Sequence, residues 1–494
     1  MRRRRFAAFA LVVSFLLLLL VADPAGVSRA GAVAALPGPT VTGPYPTGSS
    51  TFNGTLYGTS FNLSKVGYER SQFFLSGTAH SYMPVDPLTS DGKWSVTTGA
   101  SAPYTTRIAV YRPIDPKKFN GTVVVEWLNV SGGTDDSPDW TLSHNELVRE
   151  GFAWVGVSAQ QVGVDSAKST DPAEYSSLSH PGDSFSYDIF SQAGRAVRGK
   201  ASQILAGLHP HRLIAAGESQ SAGRLMTYID GVQPMASVYN GFLVHSQFGT
   251  GSPLSQPPQT ASSAPSPTTI RSDLRVPVFE FETETDVASS RLTDRLFYGN
   301  PRRFRLWEVA GSSHYDYYGL NIGPTDIGNG RGAVMNLAAM QHQGPSTFGC
   351  TTSVNSGGTH WVLDAAVHWL NRWVATGALP PQAPLLATTR VSPVVFERDA
   401  NENAVGGARS PQVDAPIAAV TGQASGGPGF CFLFGTTVPF SATQLSGLYM
   451  SHGQFVSAWA RAIQRDRLDG FLLPADAVEL LHSAALSQIG RQRR

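Results

Sequence analysis

The stretch LIAAGESQSAGRL, Leu213–Leu225, decides how this chain is read. Leu213 to Ala216 form a short apolar run of the kind buried on both faces of a sheet, Gly217 to Gln220 make a tight turn, and small and apolar residues then start a helix. A serine at the apex of such a strand–turn–helix sits on strained backbone. The strain is accommodated only where the residues two before and two after it are small, because larger ones strike the adjoining strand or helix. Gly217 meets the upstream requirement. The downstream position holds Ser221, a departure from G-x-S-x-G, while Ala222 and Gly223 keep the helix start uncrowded. Counting from the strand end puts Ser219 at the apex and Ser221 in the first helical turn, facing away. No lysine follows in the phosphate-loop position, which argues against a phosphate cradle.

A serine hydroxyl is a weak nucleophile until a base lies within hydrogen-bond reach. In this architecture the acid and then the histidine follow the serine, each just past a later strand. The run VPVFEF, Val276–Phe281, leads into Glu282-Thr-Glu284-Thr-Asp286, and RLWEVA, Arg305–Ala310, leads into Gly311-Ser-Ser-His314. The reading takes His314 as base and Asp286 as the acid that orients it, with Glu282 and Glu284 as neighbouring alternatives. An oxyanion needs two backbone donors. The Gln220 N–H is one. The other comes from the loop after Thr122–Leu128, where Asn129 is first choice and Val130 next. His245 and His144 are assigned to pocket lining or structure, and Tyr315, Tyr317 and Tyr318 are candidates to line an acyl or aryl pocket.

Outward from this centre, strand-like and helix-like patterns alternate from about Gly67 to Trp373, as in a mostly parallel sheet covered on both faces. Strands are expected at Tyr68–Tyr82, Arg107–Pro113, Thr122–Leu128, Ala153–Val157, Arg212–Ala216 and Asn240–Ser246. Helices are expected at Tyr187–Leu208, with Ile189, Ala193, Val197, Ile204 and Leu208 on one stripe, and at Trp361–Val374. Phe248–Ser272 is rich in Gly, Ser and Pro and is either a lid or a mobile insertion. These elements place the core at 35–380. Beyond Pro380-Pro381 the chain turns loop-rich and then helical at Gly453–Gln464 and Pro474–Ile489, which is read as an extension, 381–494, packed on the core.

The chain has 494 residues, 41% of them hydrophobic, enough for a large core. Arg2–Arg5, the apolar run Phe6–Ala22 and the small residues Ala30, Ala32 and Ala34 read as a cleaved export signal over 1–34, which makes the protein secreted. The remainder carries 32 basic and 35 acidic residues, a net charge of −3, with no basic run, so a nucleic-acid partner is not expected. No second long apolar run argues for a stable membrane span once the signal is removed, and nothing implies a protein partner. The two cysteines, Cys350 and Cys431, are expected to pair in an exported chain and to tie extension to core. No H-E-x-x-H, C-x-x-C or dinucleotide motif occurs, so neither a metal nor a cofactor is expected.

With elbow, acid and histidine in view, the chain resembles the α/β-hydrolase superfamily. It is most similar to a family described simply as an α/β-hydrolase domain. The resemblance lies in Val123–Ser131, Gly151–Gln160, Gly217–Leu225, Asn401–Pro416 and Tyr449–Asp476, and so reaches nearly the whole chain past the signal. It implies an eight-strand core and a serine triad at Ser219, Asp286 and His314. The first expectation for function is hydrolysis of a small-molecule or lipid carboxylic ester. The rivals are an exopeptidase or amidase with the same triad, and a binding protein on an inactive hydrolase scaffold.

Overall fold

The computed structural model describes residues 38–45, 58–290, 292–296, 301–342 and 348–491. The expected export signal, 1–34, lies outside them. The short apolar runs read from the sequence become strands with every side chain buried, the signature of a sheet with both faces covered. In chain order the strands are β1 (Thr40–Tyr45), β2 (Tyr68–Pro84), β3 (Val96–Pro113), β4 (Thr122–Trp127), β5 (Ala153–Val157), β6 (Arg212–Glu218), β7 (Gly241–His245), β8 (Val278–Thr283) and β9 (Phe304–Val309). They pair in the order β1-β2-β3-β5-β4-β6-β7-β8-β9. β1, β2 and β3 join antiparallel, as does β3 with β5, and every pair from β5 through β9 is parallel.

This is the α/β-hydrolase arrangement, with nine strands where eight were expected. The additional strand is β1, whose mixed, mostly exposed sequence TVTGPY carries no period-2 apolar signal. β3 also begins at Val96, well before the expected Arg107, because its first half pairs along β2 with few apolar side chains to announce it. The helix expected over Tyr187–Leu208 breaks at Lys200 into Ser186–Gly199 and Ala201–Ile204.

Two apolar layers enclose the sheet. The helices Ser186–Gly199 and Gln220–Thr227 close one face around Trp127, Phe190, Tyr228 and Phe242. The helices Pro138–Arg149 and Thr359–Thr376 close the other around Trp140, Trp154, Phe279 and Trp307. The C-terminal extension forms a third layer, with Val413, Ile417, Phe455, Trp459 and Leu480 packed against Ala310 and Trp361. It also continues the sheet. Ala408 lies beside Val309 in a parallel bridge, its N–H donating to the Glu308 carbonyl at 2.7 Å and its carbonyl accepting from Ala310 at 3.0 Å. No helix among the described residues is long and apolar enough to cross a membrane.

The insertion over Phe248–Ser272, read as a lid or a mobile segment, is bonded to the core at several points. It is strapped to the flank of the molecule: the Ser252 N–H donates to the Gly223 carbonyl (2.9 Å), Tyr187 Oη donates to the Pro253 carbonyl (2.7 Å), and Leu254 and Ile270 are buried.

Candidate active site

β6 ends and the helix Gln220–Thr227 begins within two residues, and the turn between them carries Ser219 at φ 58°. A positive φ on a non-glycine residue costs about 1 kcal/mol or more and persists only where the surroundings enforce it. Here they do. A Cβ at Gly217 would stand 3.0 Å from the Ser221 carbonyl and 3.1 Å from Leu225. The Ser219 N–H is fixed by the His245 carbonyl on β7 at 2.9 Å. Ser221, the departure from the usual glycine, is fully buried: its Oγ donates to the Glu218 carbonyl (2.8 Å) and accepts from the Glu218 N–H (3.0 Å). A glycine there would remove both bonds, leaving the Glu218 N–H without its side-chain acceptor and the Glu218 carbonyl with the Asn129 amide.

Three side chains far apart in sequence converge past the ends of β6, β8 and β9. His314 Nε2 lies 2.8 Å from Ser219 Oγ, and His314 Nδ1 lies 2.6 Å from Asp286 Oδ1. Asp286 Oδ2 accepts from the N–H and hydroxyl of Thr283, at 2.8 and 2.6 Å. Burial pushes the Asp286 carboxyl up, but the His314 imidazole and the hydrogen bonds from His314, Thr283 and Ser246 outweigh it and hold the group below the usual carboxylate range. The neighbouring acids are engaged elsewhere. Glu284 accepts from the N–H groups of Gly311 (2.7 Å) and Gly422 (3.1 Å) and pairs with Arg398 at 2.9 Å, stapling the His314 loop to the extension. Glu282 accepts from the Gln247 N–H at 3.1 Å.

The expectation for Asn129 requires correction. Its N–H, taken as an oxyanion donor, instead donates to the Asp136 carbonyl at 2.9 Å, because residues 129 and 136 pair as an isolated bridge that closes the loop. Its side-chain amide turns toward the elbow, donating to the Glu218 carbonyl (3.0 Å) and carboxyl (3.1 Å). Next in the loop is Val130, whose N–H meets no acceptor among the described residues. Gln220 is the first residue of its helix, so its N–H has no intrahelical acceptor.

Glu218 was not singled out from the sequence. Its Oε1 lies 3.2 Å from His314 Nε2, and the side chain is nearly fully buried. Burial, and then the nearby carboxyls of Asp139, Asp136, Asp286 and Glu126, push its pKa well above the usual value, which favours the protonated form beside the imidazole. Below this layer His245 pairs with Asp139 at 2.9 Å, and Glu126 accepts from the N–H groups of Asp139 and Trp140, both at 3.0 Å, at the positive start of the helix Pro138–Arg149. His245 is thus buried beneath the elbow. His144 contacts the Asp326 carbonyl at 2.9 Å, away from Ser219.

Ser219, His314, Glu218 and Asn129 open on a cavity of about 380 Å³. Of the three tyrosines expected to line it, Tyr315 does so. Tyr318 instead stacks on His360, with centroids 3.8 Å apart, inside the core. From the insertion, Phe248 reaches the site, stacking on the His314 ring at 4.9 Å. The far wall is formed by Phe348, Phe430, Leu433 and Phe434, which the sequence reading did not assign to the site. The signal that points to them is the aromatic run GFCFLF, Gly429–Phe434, around one of the two cysteines. Cys350 and Cys431 are joined, with Cα atoms 5.4 Å apart. Away from the cavity, Glu146, Glu150 and His368 face one another, but the imidazole already pairs with both carboxylates, at 3.3 and 3.7 Å, which makes this an ion-pair cluster.

The model of a family described as "Alpha/beta hydrolase domain" matches residues 41–482. No curated protein matches the sequence. Among solved structures, a lipase/esterase from Lactobacillus plantarum is 14% identical, over 44% of this chain and 79% of that one, with a TM-score of 0.23. An α/β serine hydrolase without lid from Xanthomonas campestris is 13% identical, over 41% of this chain and 78% of that one, with a TM-score of 0.27. A structure from a study of two fungal esterases of Rhizomucor miehei is 15% identical, over 47% of this chain and 74% of that one, with a TM-score of 0.25. A family match reaching from β1 to the last helix, on a chain whose sheet order and elbow are those just described, places this protein in the alpha/beta hydrolase domain family.

Proposed function

We propose that the chain is an exported serine hydrolase that cleaves carboxylic esters through an acyl-enzyme on Ser219. The observation that carries this reading is the continuous relay Asp286–His314–Ser219, with contacts of 2.6 and 2.8 Å, at the floor of an open cavity. His314 Nε2 takes the hydroxyl proton as Ser219 Oγ adds to the ester carbonyl, then returns it to the departing alcohol. Asp286 holds the Nδ1–H tautomer and offsets the imidazolium charge. Water repeats the sequence on the acyl-enzyme. The N–H groups of Gln220 and Val130 receive the oxyanion, each such donor contributing about 100- to 1,000-fold in rate. Burial favours the protonated form of Glu218, which leaves Nε2 to the serine rather than drawing it into a fixed ion pair.

The test is turnover of p-nitrophenyl acetate together with labelling by a fluorophosphonate. Ser219→Ala is expected to lower kcat by about 10⁴-fold or more and to abolish labelling. Labelling that survives this substitution removes Ser219 from the mechanism. An amidase or exopeptidase would use the same relay, and an aminoacyl-amide panel separates the two by the ratio of amide to ester turnover.

A further inference from the structure

The cavity over Ser219 has one polar and one apolar side. Asn129, Asp136 and Glu218 line the first, and Phe348, Phe430, Leu433 and Phe434 the second. Three of the four apolar residues belong to the C-terminal extension, and the fourth sits two residues before Cys350. Cys431 lies between Phe430 and Leu433, so the Cys350–Cys431 bond anchors the segment that carries this wall.

The wall is also tied to the His314 loop on both sides of the histidine. Ser313 Oγ donates to the Phe434 carbonyl at 3.2 Å, and the Tyr315 N–H donates to the Leu433 carbonyl at 3.4 Å. Phe348 and Phe434 meet edge to face, with centroids 5.3 Å apart. Phe430 remains 42% exposed at the cavity. A large apolar side chain left open beside a nucleophile gains free energy when a second apolar group covers it, and an aromatic ring does so with edge or offset geometry. The described lining includes no lysine or arginine, while two carboxyl groups face in. Burial raises the pKa of both, so they offer polar contacts rather than fixed negative charge, and an anionic substrate would find no lysine or arginine to pair with.

We propose that the C-terminal arm, cross-linked at Cys350–Cys431, is the specificity subsite of this enzyme, and that it takes an uncharged, bulky apolar group of the ester, an aromatic ring above all. The proposal rests on Ser219 acting as the nucleophile, and its test is arranged so that the two readings fail separately.

Two substrate pairs locate the ring. p-Nitrophenyl benzoate against acetate varies the acyl side, and benzyl acetate against ethyl acetate varies the alcohol side. The wild type is expected to favour the aromatic member of one pair. In Phe430→Ala and Phe434→Ala the ratio of kcat/KM values is expected to fall about 10-fold or more, the usual scale for an apolar group lost from a pocket. Leu448→Ala, on the arm but outside the cavity lining, controls for loosening of the arm and should leave the ratio unchanged. A fall in the first pair puts the ring on the acyl side, and a fall in the second puts it on the alcohol side. Ratios within about 2-fold of wild type in both pairs overturn the proposal, and so does preference for a p-nitrophenyl hemisuccinate over the butyrate.

A binding arm covers the case in which no ester is turned over. Calorimetry on Ser219→Ala is expected to show ethyl benzoate bound more tightly than ethyl acetate or the benzoate anion, with the preference lost when Phe434→Ala is added. An absence of preference removes the subsite, whatever becomes of the catalytic reading.

Discussion

The elbow around Ser219 and the arm around Phe434 border the same cavity, yet they are held in different ways. The elbow is built from neighbours in sequence: β6, one strained turn, and a hydroxyl on Ser221 that bonds back three residues to Glu218. The arm reaches the cavity from more than 200 residues further along the chain, held by a disulfide, by two bonds to the His314 loop and by an aromatic contact. Local geometry therefore presents the Ser219 hydroxyl, and long-range attachment shapes the cavity it faces. Substitutions in the elbow should act on kcat, and those in the arm on substrate preference and stability.

The sharpest contrast is between two acids only two positions apart in the chain: Asp286, which faces His314, and Glu284, which faces the extension. Asp286→Asn is expected to lower kcat by about 10³- to 10⁴-fold with little change in Tm, because it misplaces the tautomer. Glu284→Gln is expected to lose about 1–3 kcal/mol of stability from weakened bonds to Gly311, Gly422 and Arg398 while kcat stays near wild type. If Glu284→Gln were the one that abolished turnover, the division between elbow and arm would be wrong.

Removal of the disulfide comes next. Cys350→Ser with Cys431→Ser opens a loop of 81 residues and is expected to cost about 2–5 kcal/mol in denaturant unfolding. Turnover of acetate esters should survive in the folded fraction at moderate temperature, with the aromatic preference reduced.

Glu218 tests the elbow from within. A carboxyl whose folded pKa lies well above its ordinary value of 4.5 costs stability that grows as pH rises past 4.5, since the unfolded chain releases its proton there and the folded chain holds it to higher pH. Glu218→Gln keeps the shape without that cost. It is expected to raise Tm at pH 7 and to match wild type near pH 4, with kcat at neutral pH within about 10-fold of wild type. A large loss of kcat at unchanged Tm would mean the group works as an ion.

The smallest effect lies outside both regions and sets the baseline. Glu146 and Glu150 hold the half-buried His368 up at about 9 from an ordinary 6.5, so its contribution is complete below pH 6.5 and lost as pH rises through 9. With solvent screening this amounts to about 1 kcal/mol or less. A pH series of unfolding curves for wild type and His368→Gln should converge above pH 9.

The sequence by itself determined the buried strands β4 to β8, the elbow, and the order of serine, acid and histidine. Each of these rests on a rule that acts over a few residues: apolar runs in a covered sheet, small neighbours around a strained turn, short loops past strand ends. It left β1 unread because an exposed edge strand has no apolar period to show. It left the choice among Glu282, Glu284 and Asp286 open because all three fall on one short loop, and only the direction of each carboxyl separates them. Tertiary structure alone decided that Asp136 takes the Asn129 N–H, that the Glu218 carboxyl lies against His314, and that an arm from the end of the chain walls the cavity. The physical reason is the same in each case: these contacts join segments distant in the chain, and their energies come from burial and pairing that exist only once the sheet has brought the segments together.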